Sequence, residues 1–332
     1  MRALVTGAGG FAGGHLVTYL AQHTDVEVFG AVLRPVEKYQ AMAERLGVRL
    51  HRVDLRETLS VVNLLSAAEP DYIFHLAAYA AVGASWQIPW ETIANNIRAQ
   101  LNIFQALIAV GARPRVLVVG SADQYGLVRQ EDNPIDEDTP FRPNSPYSVS
   151  KIAQDMLGLQ YFYSHQIPVV RVRPFNHIGP GQREQFVAPD FSLQIAKIEA
   201  GMMPPVMRVG NLDAQRDFTD VRDVVRAYYL ALMHGTPGQV YNIGTGEARS
   251  IRELLDTLLS LSTVPIEVQP DPKRMRPSDV PLAVCDASRL RCDTGWSPQV
   301  PFGRSLADTL DEWRRRVADG DLSSEGMFYH EW

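Results

Sequence analysis

The chain has 332 residues, 45% of them apolar and 21% charged, which is the balance of a folded globular protein and excludes a disordered or collagen-like chain. Asp and Glu outnumber Lys and Arg by 38 to 32, a net charge of −6, so nonspecific nucleic-acid binding, which needs cations to neutralise phosphates, is not expected. The length suits one large domain, or one large and one small.

The chain opens on a buried strand over residues 2–6, too short before Gly7 for a signal peptide. Residues 7–14 are glycine-rich, and residues 15–23 read as a helix with Leu16 and Leu20 on one face. Strands follow at 26–32 and 48–53, a helix at 59–68, a strand at 72–78 and a helix marked by Ile93, Ile97, Leu101, Phe104 and Ile108. A fifth strand spans 115–120, a helix starts near Tyr147, and a strand at 167–173 stops at Pro174. This βαβ alternation predicts a doubly wound parallel sheet of the Rossmann type with helices on both faces. Residues 1–175 form the expected dinucleotide-binding domain. Residues 176–332 are expected to be mainly a smaller substrate lobe, with helices at 190–201, 221–233 and 250–260, strands at 205–209, 239–243 and 266–269, and some segments returning to the main sheet. No run reaches 18 uncharged apolar residues, so no membrane helix is expected. Cys285 and Cys292, without a CxxC pair, read as free thiols and imply neither a disulfide nor a zinc site. Together these features predict a cytoplasmic protein.

Gly7-Ala8-Gly9-Gly10-Phe11-Ala12-Gly13 follows the first strand and opens the first helix. Gly7, Gly10 and Gly13 allow a tight turn, close approach to a pyrophosphate and close helix–strand packing. The amides at the start of that helix, including those of Phe11 and Ala12, then face the phosphates. The second strand ends Val32-Leu33-Arg34 without an acid to hold a ribose 2′-hydroxyl. Arg34 could pair with a 2′-phosphate, so NADP(H) is preferred, with NAD(H) left open. Asp54, with Leu55 beside it, is a candidate for the adenine amine; ordinary strand-end capping is its other reading.

Tyr147 and Lys151 are four apart on a predicted helix and share a face. An ammonium beside a phenol favours the phenolate, so a tyrosine pKa drawn toward neutrality is expected. Such a tyrosine exchanges a proton with a carbinol oxygen while a nicotinamide exchanges a hydride. Ser121, at the end of the fifth strand, could donate a hydrogen bond to the substrate oxygen. Strand C-terminal ends are where ligands bind in such sheets.

Taken in order across nearly the whole chain, the glycine turn, His75-Leu76-Ala77-Ala78, Asn96, Ser121, Tyr125-Gly126, Ser145-Pro146-Tyr147-Ser148-Val149-Ser150-Lys151, Arg173-Pro174-Phe175-Asn176 and Arg216-Asp217-Phe218-Thr219-Asp220-Val221 resemble the extended short-chain dehydrogenase/reductase family of nucleotide-sugar enzymes. The resemblance implies Ser121 as hydrogen-bonding serine, Tyr147 as acid/base and Lys151 as its partner. It implies Leu76, Ala77 and Ala78 at the cofactor and Asn96 as a helix support. It also implies a homodimer joined through the helices around Ile93–Ile108 and Tyr147–Tyr161.

Asn176-His177-Ile178-Gly179-Pro180-Gly181-Gln182, the run from Val209 to Phe218, and Arg274-Met275-Arg276-Pro277-Ser278-Asp279-Val280-Pro281 resemble the GDP-mannose branch, which holds GDP-mannose 4,6-dehydratases and GDP-4-keto-6-deoxymannose reductases. By that resemblance Asn176, Arg216 and Arg276 are the diphosphate-binding candidates, with Lys273 and Arg274 weaker; a salt bridge to Asp217 is the other reading of Arg216. Arginine forks suit phosphate oxygens. A dehydratase needs a further acid/base, and Asp123 stands where the branch's dehydratases carry glutamate. One methylene shorter, it reaches less far. The expected activity is therefore NAD(P)H-dependent reduction of the C4 ketone of a GDP-4-keto-6-deoxyhexose, with GDP-rhamnose as a product. Dehydration through Asp123, epimerisation, and a noncatalytic dinucleotide sensor are the alternatives. His75 and Trp296 are expected to be structural, and His177 is a weaker substrate contact.

Overall fold

The computed structural model describes residues 1–34, 36–274 and 280–321. In chain order the elements are β1 (Arg2–Thr6), α1 (Phe11–His23), β2 (Glu27–Val32), α2 (Gln40–Leu46), β3 (Arg49–Arg52), α3 (Thr58–Ala68), β4 (Tyr72–His75), α4 (Val82–Ser85), α5 (Pro89–Val110), β5 (Arg115–Val119), α6 (Pro146–His165), β6 (Val169–Pro174), β7 (Asn176–Ile178), α7 (Val187–Glu199), β8 (Val206–Val209), β9 (Gln215–Asp220), α8 (Val221–His234), β10 (Val240–Ile243), β11 (Ala248–Ser250), α9 (Ile251–Ser260), β12 (Glu267–Pro270), β13 (Leu282–Ala283), α10 (Ser288–Thr294) and α11 (Phe302–Ala318).

Seven parallel strands form the main sheet in the order β10-β6-β5-β4-β1-β2-β3. The two-residue strand period splits the core between its faces. Ala3, Val5, Leu117 and Val119 join the α1 and α8 side with Leu16, Leu20, Val224 and Leu232. Leu4, Val116 and Val118 join the α3, α5 and α6 side with Leu64, Phe104 and Tyr161. The chain reverses direction of winding between β1 and β4, which opens a crevice at their C-terminal ends.

A third apolar cluster binds α7, α9 and α11 through Phe191, Ile195, Leu254, Leu258, Leu306 and Leu310. It sits beside a small sheet in which β9 pairs with β7, β11 and β13. Within the same half of the chain, β10 lies in the main sheet and α8 packs on α1.

Several elements differ from the sequence reading. The strand expected over 72–78 ends at His75, because the Ala77 amide donates to the Thr6 hydroxyl at 3.2 Å and leaves the ladder. Short β7, β9, β11 and β13, and helices α2, α4, α10 and α11, are absent from the sequence reading. Strands β7, β11 and β13 have only two or three residues, too few for alternation to show, and β9, Gln215–Asp220, is polar in sequence with four consecutive buried residues and no alternation. Helix α11 carries a buried row of Leu306, Leu310, Trp313 and Val317, but its DEWRRR run obscures that stripe. Among the described residues, no helix is long and apolar enough to cross a membrane, and no His, Cys, Asp or Glu cluster could hold a metal. Cys285 and Cys292 are free.

Candidate active site

Gly7 ends β1 at φ +70, a left-handed turn. A Cβ there would lie 2.9 Å from the Ala77 nitrogen. The turn closes when the Gly10 amide donates to the Gly7 carbonyl at 2.9 Å. Helix α1 then begins at Phe11 with neither a side-chain cap nor an acid in its first turn. A Cβ on Gly13 would fall 2.0 Å from the Gly7 oxygen, so the helix is seated directly on the turn. These amides form a cradle that only glycine permits, and they fit a dinucleotide pyrophosphate. Leu76, Ala77 and Ala78 leave β4 alongside them.

Arg34 is exposed where β2 ends. Tyr39, from the following segment, packs across Gly9 and has Arg34 and Arg183 near its phenol. Asp54 accepts from the Arg56 amide at 2.9 Å and pairs with its guanidinium at 2.6 Å. Those hydrogen bonds hold its carboxyl below the usual range. The Leu55 carbonyl accepts from Asn102.

Helix α6 starts where Ser145 accepts from the Ser148 amide at 3.0 Å, with Pro146 in the first turn. This cap places Tyr147 and Lys151 at the end of β5, both buried. Ser121 follows β5 and opens a 3₁₀ turn, Ala122–Gln124. Its hydroxyl accepts from the Asp123 amide and donates to the Asp123 carboxylate, each at 3.2 Å. Asp123 itself is exposed. Asn96 accepts from the Tyr79 amide at 2.7 Å and donates to Ser150 at 2.9 Å, tying α5 to α6.

The titration of Tyr147 differs from the sequence expectation. Burial pushes the phenol well above its ordinary value, the Asp123 carboxylate adds to this, and Ser121 draws it back in part. Lys151 donates instead to the Val119 carbonyl at 2.8 Å and stands 6.0 Å from the Tyr147 ring centroid. Burial lowers the lysine itself to about 7. Spacing made the two residues neighbours, but the lysine's hydrogen bond goes to the strand. The resulting Tyr147 is a protonated phenol at neutral pH, the state that hands a proton to a forming alkoxide.

His75 is buried and hydrogen-bonded to the Thr6 hydroxyl at 2.8 Å, and burial lowers its pKa to about 3. His177 stacks on Phe11 at 5.7 Å, and His15 of α1 donates to the Pro180 carbonyl at 2.9 Å. Both contacts join the cofactor helix to the segment after β6. Trp296 is buried and donates to the Asp223 carbonyl at 3.0 Å.

Asn176 and Arg216 lie on neighbouring strands of the small sheet, where Asn176 of β7 pairs in register with Phe218 of β9, two residues after Arg216. Arg216 donates to the Gln215 and Val280 carbonyls. Asp217 is occupied elsewhere, accepting from Thr245, Gly246 and Cys285. Arg274 pairs with Asp190 at 2.6 Å. Both line a cavity of about 470 Å³ with Gln194, Lys197, Arg208 and Gln269. Lys197 and Arg208 were not singled out from sequence, since no local spacing marks them. Arg276 lies outside the described residues.

A Rossmann sheet with a glycine turn at its switch point and Ser121, Tyr147 and Lys151 at the end of β5 defines a nicotinamide-dependent oxidoreductase of the extended short-chain dehydrogenase/reductase type. Residues 4–309 match the family model described as GDP-mannose 4,6 dehydratase, and the chain belongs to that family. It is 38% identical to the GDP-6-deoxy-D-mannose reductase of Pseudomonas aeruginosa, over 96% of this chain and 99% of that one. The structure of RMD from Pseudomonas aeruginosa complexed with NADPH superposes with a TM-score of 0.85 at 37% identity, covering 95% and 99% of the two chains. The Thermus thermophilus UDP-glucose 4-epimerase complex with NAD gives 0.81 at 30% identity, covering 95% and 99%.

Proposed function

We propose that this protein reduces the C4 ketone of a GDP-4-keto-6-deoxyhexose to the alcohol, giving a GDP-6-deoxyhexose such as GDP-rhamnose. The observation that carries this reading is the buried Tyr147 with Ser121 and Lys151 at the end of β5. Ser121, its O–H turned from Asp123 to the substrate, polarises the ketone oxygen, and Tyr147 supplies the proton, with Lys151 Nζ over the ring of the phenolate left behind. The nicotinamide supplies the hydride when bound. Arg34 favours NADPH as its source, since a guanidinium suits a 2′-phosphate. The 38% identity to a GDP-6-deoxy-D-mannose reductase supports the same substrate class.

The diphosphate is assigned to Asn176 and Arg216; Lys197, Arg208 and Arg274 line the cavity beside Asp190. Arg216→Ala is expected to raise KM for the nucleotide sugar about 10- to 100-fold, the loss of one charged hydrogen-bonding group, with a smaller change in kcat. Steady-state kinetics check this, and an unchanged KM would remove Arg216 from the binding site.

A homodimer through α5 and α6 belongs to the proposal. Trp90, Ile108, Val149, Met156 and Tyr163 are exposed on these two helices. So does a cytoplasmic location, where charged nucleotide substrates need no transport.

Dehydration is the second reading, because Asp123 places a carboxylate against Ser121. Two assays separate them. GDP-4-keto-6-deoxymannose with NADPH is expected to consume the cofactor stoichiometrically. GDP-mannose with NADP is expected to yield no 4-keto product. Keto product in the second assay would assign Asp123 the work of a second acid/base and overturn the reductase reading. Inactivity in both would remove the GDP-sugar assignment.

A further inference from the structure

A buried polar network lies directly beneath Ser121, and none of its members has a part in the chemistry above. The Ser121 amide donates to Gln124 Oε1 at 2.8 Å. On the other side of that amide, Gln124 Nε2 donates to Asp155 Oδ2 at 2.9 Å. Asp155 in turn accepts from Arg171 Nη1 at 2.5 Å and from Arg173 Nε at 2.7 Å. Gln124, Asp155 and Arg173 are each at most 3% exposed. Burial works against the Asp155 charge, but Arg173 and Arg171 overcome it and keep the carboxyl below its ordinary range.

The geometry leaves Gln124 one orientation. Reversing its amide would aim an N–H₂ at the Ser121 N–H and an oxygen at the Asp155 carboxylate, two repulsive contacts in a dry site. The carboxylate therefore decides which end of Gln124 faces the serine. Space is cleared for that end by Gly120, where a Cβ would lie 2.2 Å from Gln124 Oε1. Asp155 sits on α6, one turn beyond Lys151 and two beyond Tyr147. The helix that carries the proton donor thus also carries the group that sets the serine, and the two are held in one frame.

We propose that Asp155 is a positioning residue for Ser121: through Gln124, with Arg171 and Arg173 fixing its carboxylate, it sets where the serine hydroxyl stands relative to Tyr147. This rests on the reading of Ser121, Tyr147 and Lys151 as the reaction centre. A misplaced catalytic contact costs up to about 100-fold in turnover without loss of binding.

The test exchanges the two partners. Gln124→Glu alone sets two carboxylates face to face, and Asp155→Asn alone leaves two buried guanidiniums without a counter-charge. The double variant, Gln124→Glu with Asp155→Asn, puts a carboxylate and an amide back in contact and returns one negative charge to the network. The new amide nitrogen at position 155, which donates to the new carboxylate at position 124, replaces the oxygen to which Arg173 Nε donates. Each single variant is expected to lower kcat about 10- to 100-fold with KM for the GDP-keto sugar and NADPH affinity unchanged. The double variant is expected to recover part of that loss, since the contact at residue 124 is restored and the Arg173 Nε hydrogen bond is not. Hydrogen exchange over residues 116–127 is expected to quicken in the singles and slow again in the double, a readout that needs no turnover. If Asp155→Asn does not fold, comparing Gln124→Glu with the double variant carries the same test. A double variant no faster than Gln124→Glu, or single variants with wild-type kcat and exchange, would overturn the proposal. Inactive wild-type enzyme with restored exchange protection in the double variant would instead fault the substrate assignment and leave the positioning role standing.

Discussion

Tyr147→Phe is expected to lower kcat about a thousandfold, roughly 4 kcal/mol in the barrier, while leaving dinucleotide affinity within twofold. Phenylalanine keeps the buried ring and its packing and deletes only the hydroxyl. What is lost is a phenol that burial and the Asp123 carboxylate hold in the protonated state. Ser121 remains, held by its own turn through Asp123 and Gln124, so the substrate oxygen is still met by a donor but no longer by an acid. Absorbance at the nicotinamide band measures turnover, and fluorescence titration with NADPH measures binding. Wild-type turnover in this variant would move the proton transfer to another group.

The second large effect falls at the cofactor cradle. Gly13→Ala is expected to abolish measurable dinucleotide binding and to cost about 1–3 kcal/mol of stability. The added methyl would lie 2.0 Å from the Gly7 oxygen, 2.8 Å from its carbonyl carbon and 3.2 Å from the Ala8 Cα. All three are backbone atoms, so no side chain can rotate away. Helix α1 must retreat from the turn, and its amides retreat with it. Gly83→Ala is the control, since nothing lies within 4 Å of a Cβ there. NADPH titration and thermal unfolding of both variants check this. Unchanged affinity in Gly13→Ala would place the dinucleotide away from the glycine turn.

Much of the doubly wound sheet was legible because its signals are local. Apolar runs bounded by Gly and Pro mark β1, β2 and β5, and the turn at Gly7–Gly13 marks the strand–helix junction. The network under Ser121 left a fainter trace. Arg171 and Arg173 stand in an otherwise apolar central strand, on the same alternation as Val169. Two guanidiniums on a buried face require a carboxylate, but nothing local says that Asp155, on the preceding helix, supplies it. The small sheet around β9 was illegible for a similar reason, since its strands come from four separate segments between residues 176 and 283.

The sequence by itself determined the class of fold, the glycine turn and the shared helical face of Tyr147 and Lys151, because each depends on residue type at short spacing. The tertiary structure decided the state of those groups. It buried Tyr147 and raised its pKa, turned Lys151 to the Val119 carbonyl, and folded Asp123 back on Ser121. It also brought Asn176 and Arg216 onto one sheet. Desolvation and hydrogen-bond choice depend on what distant segments place around a side chain, and only the packed chain specifies that.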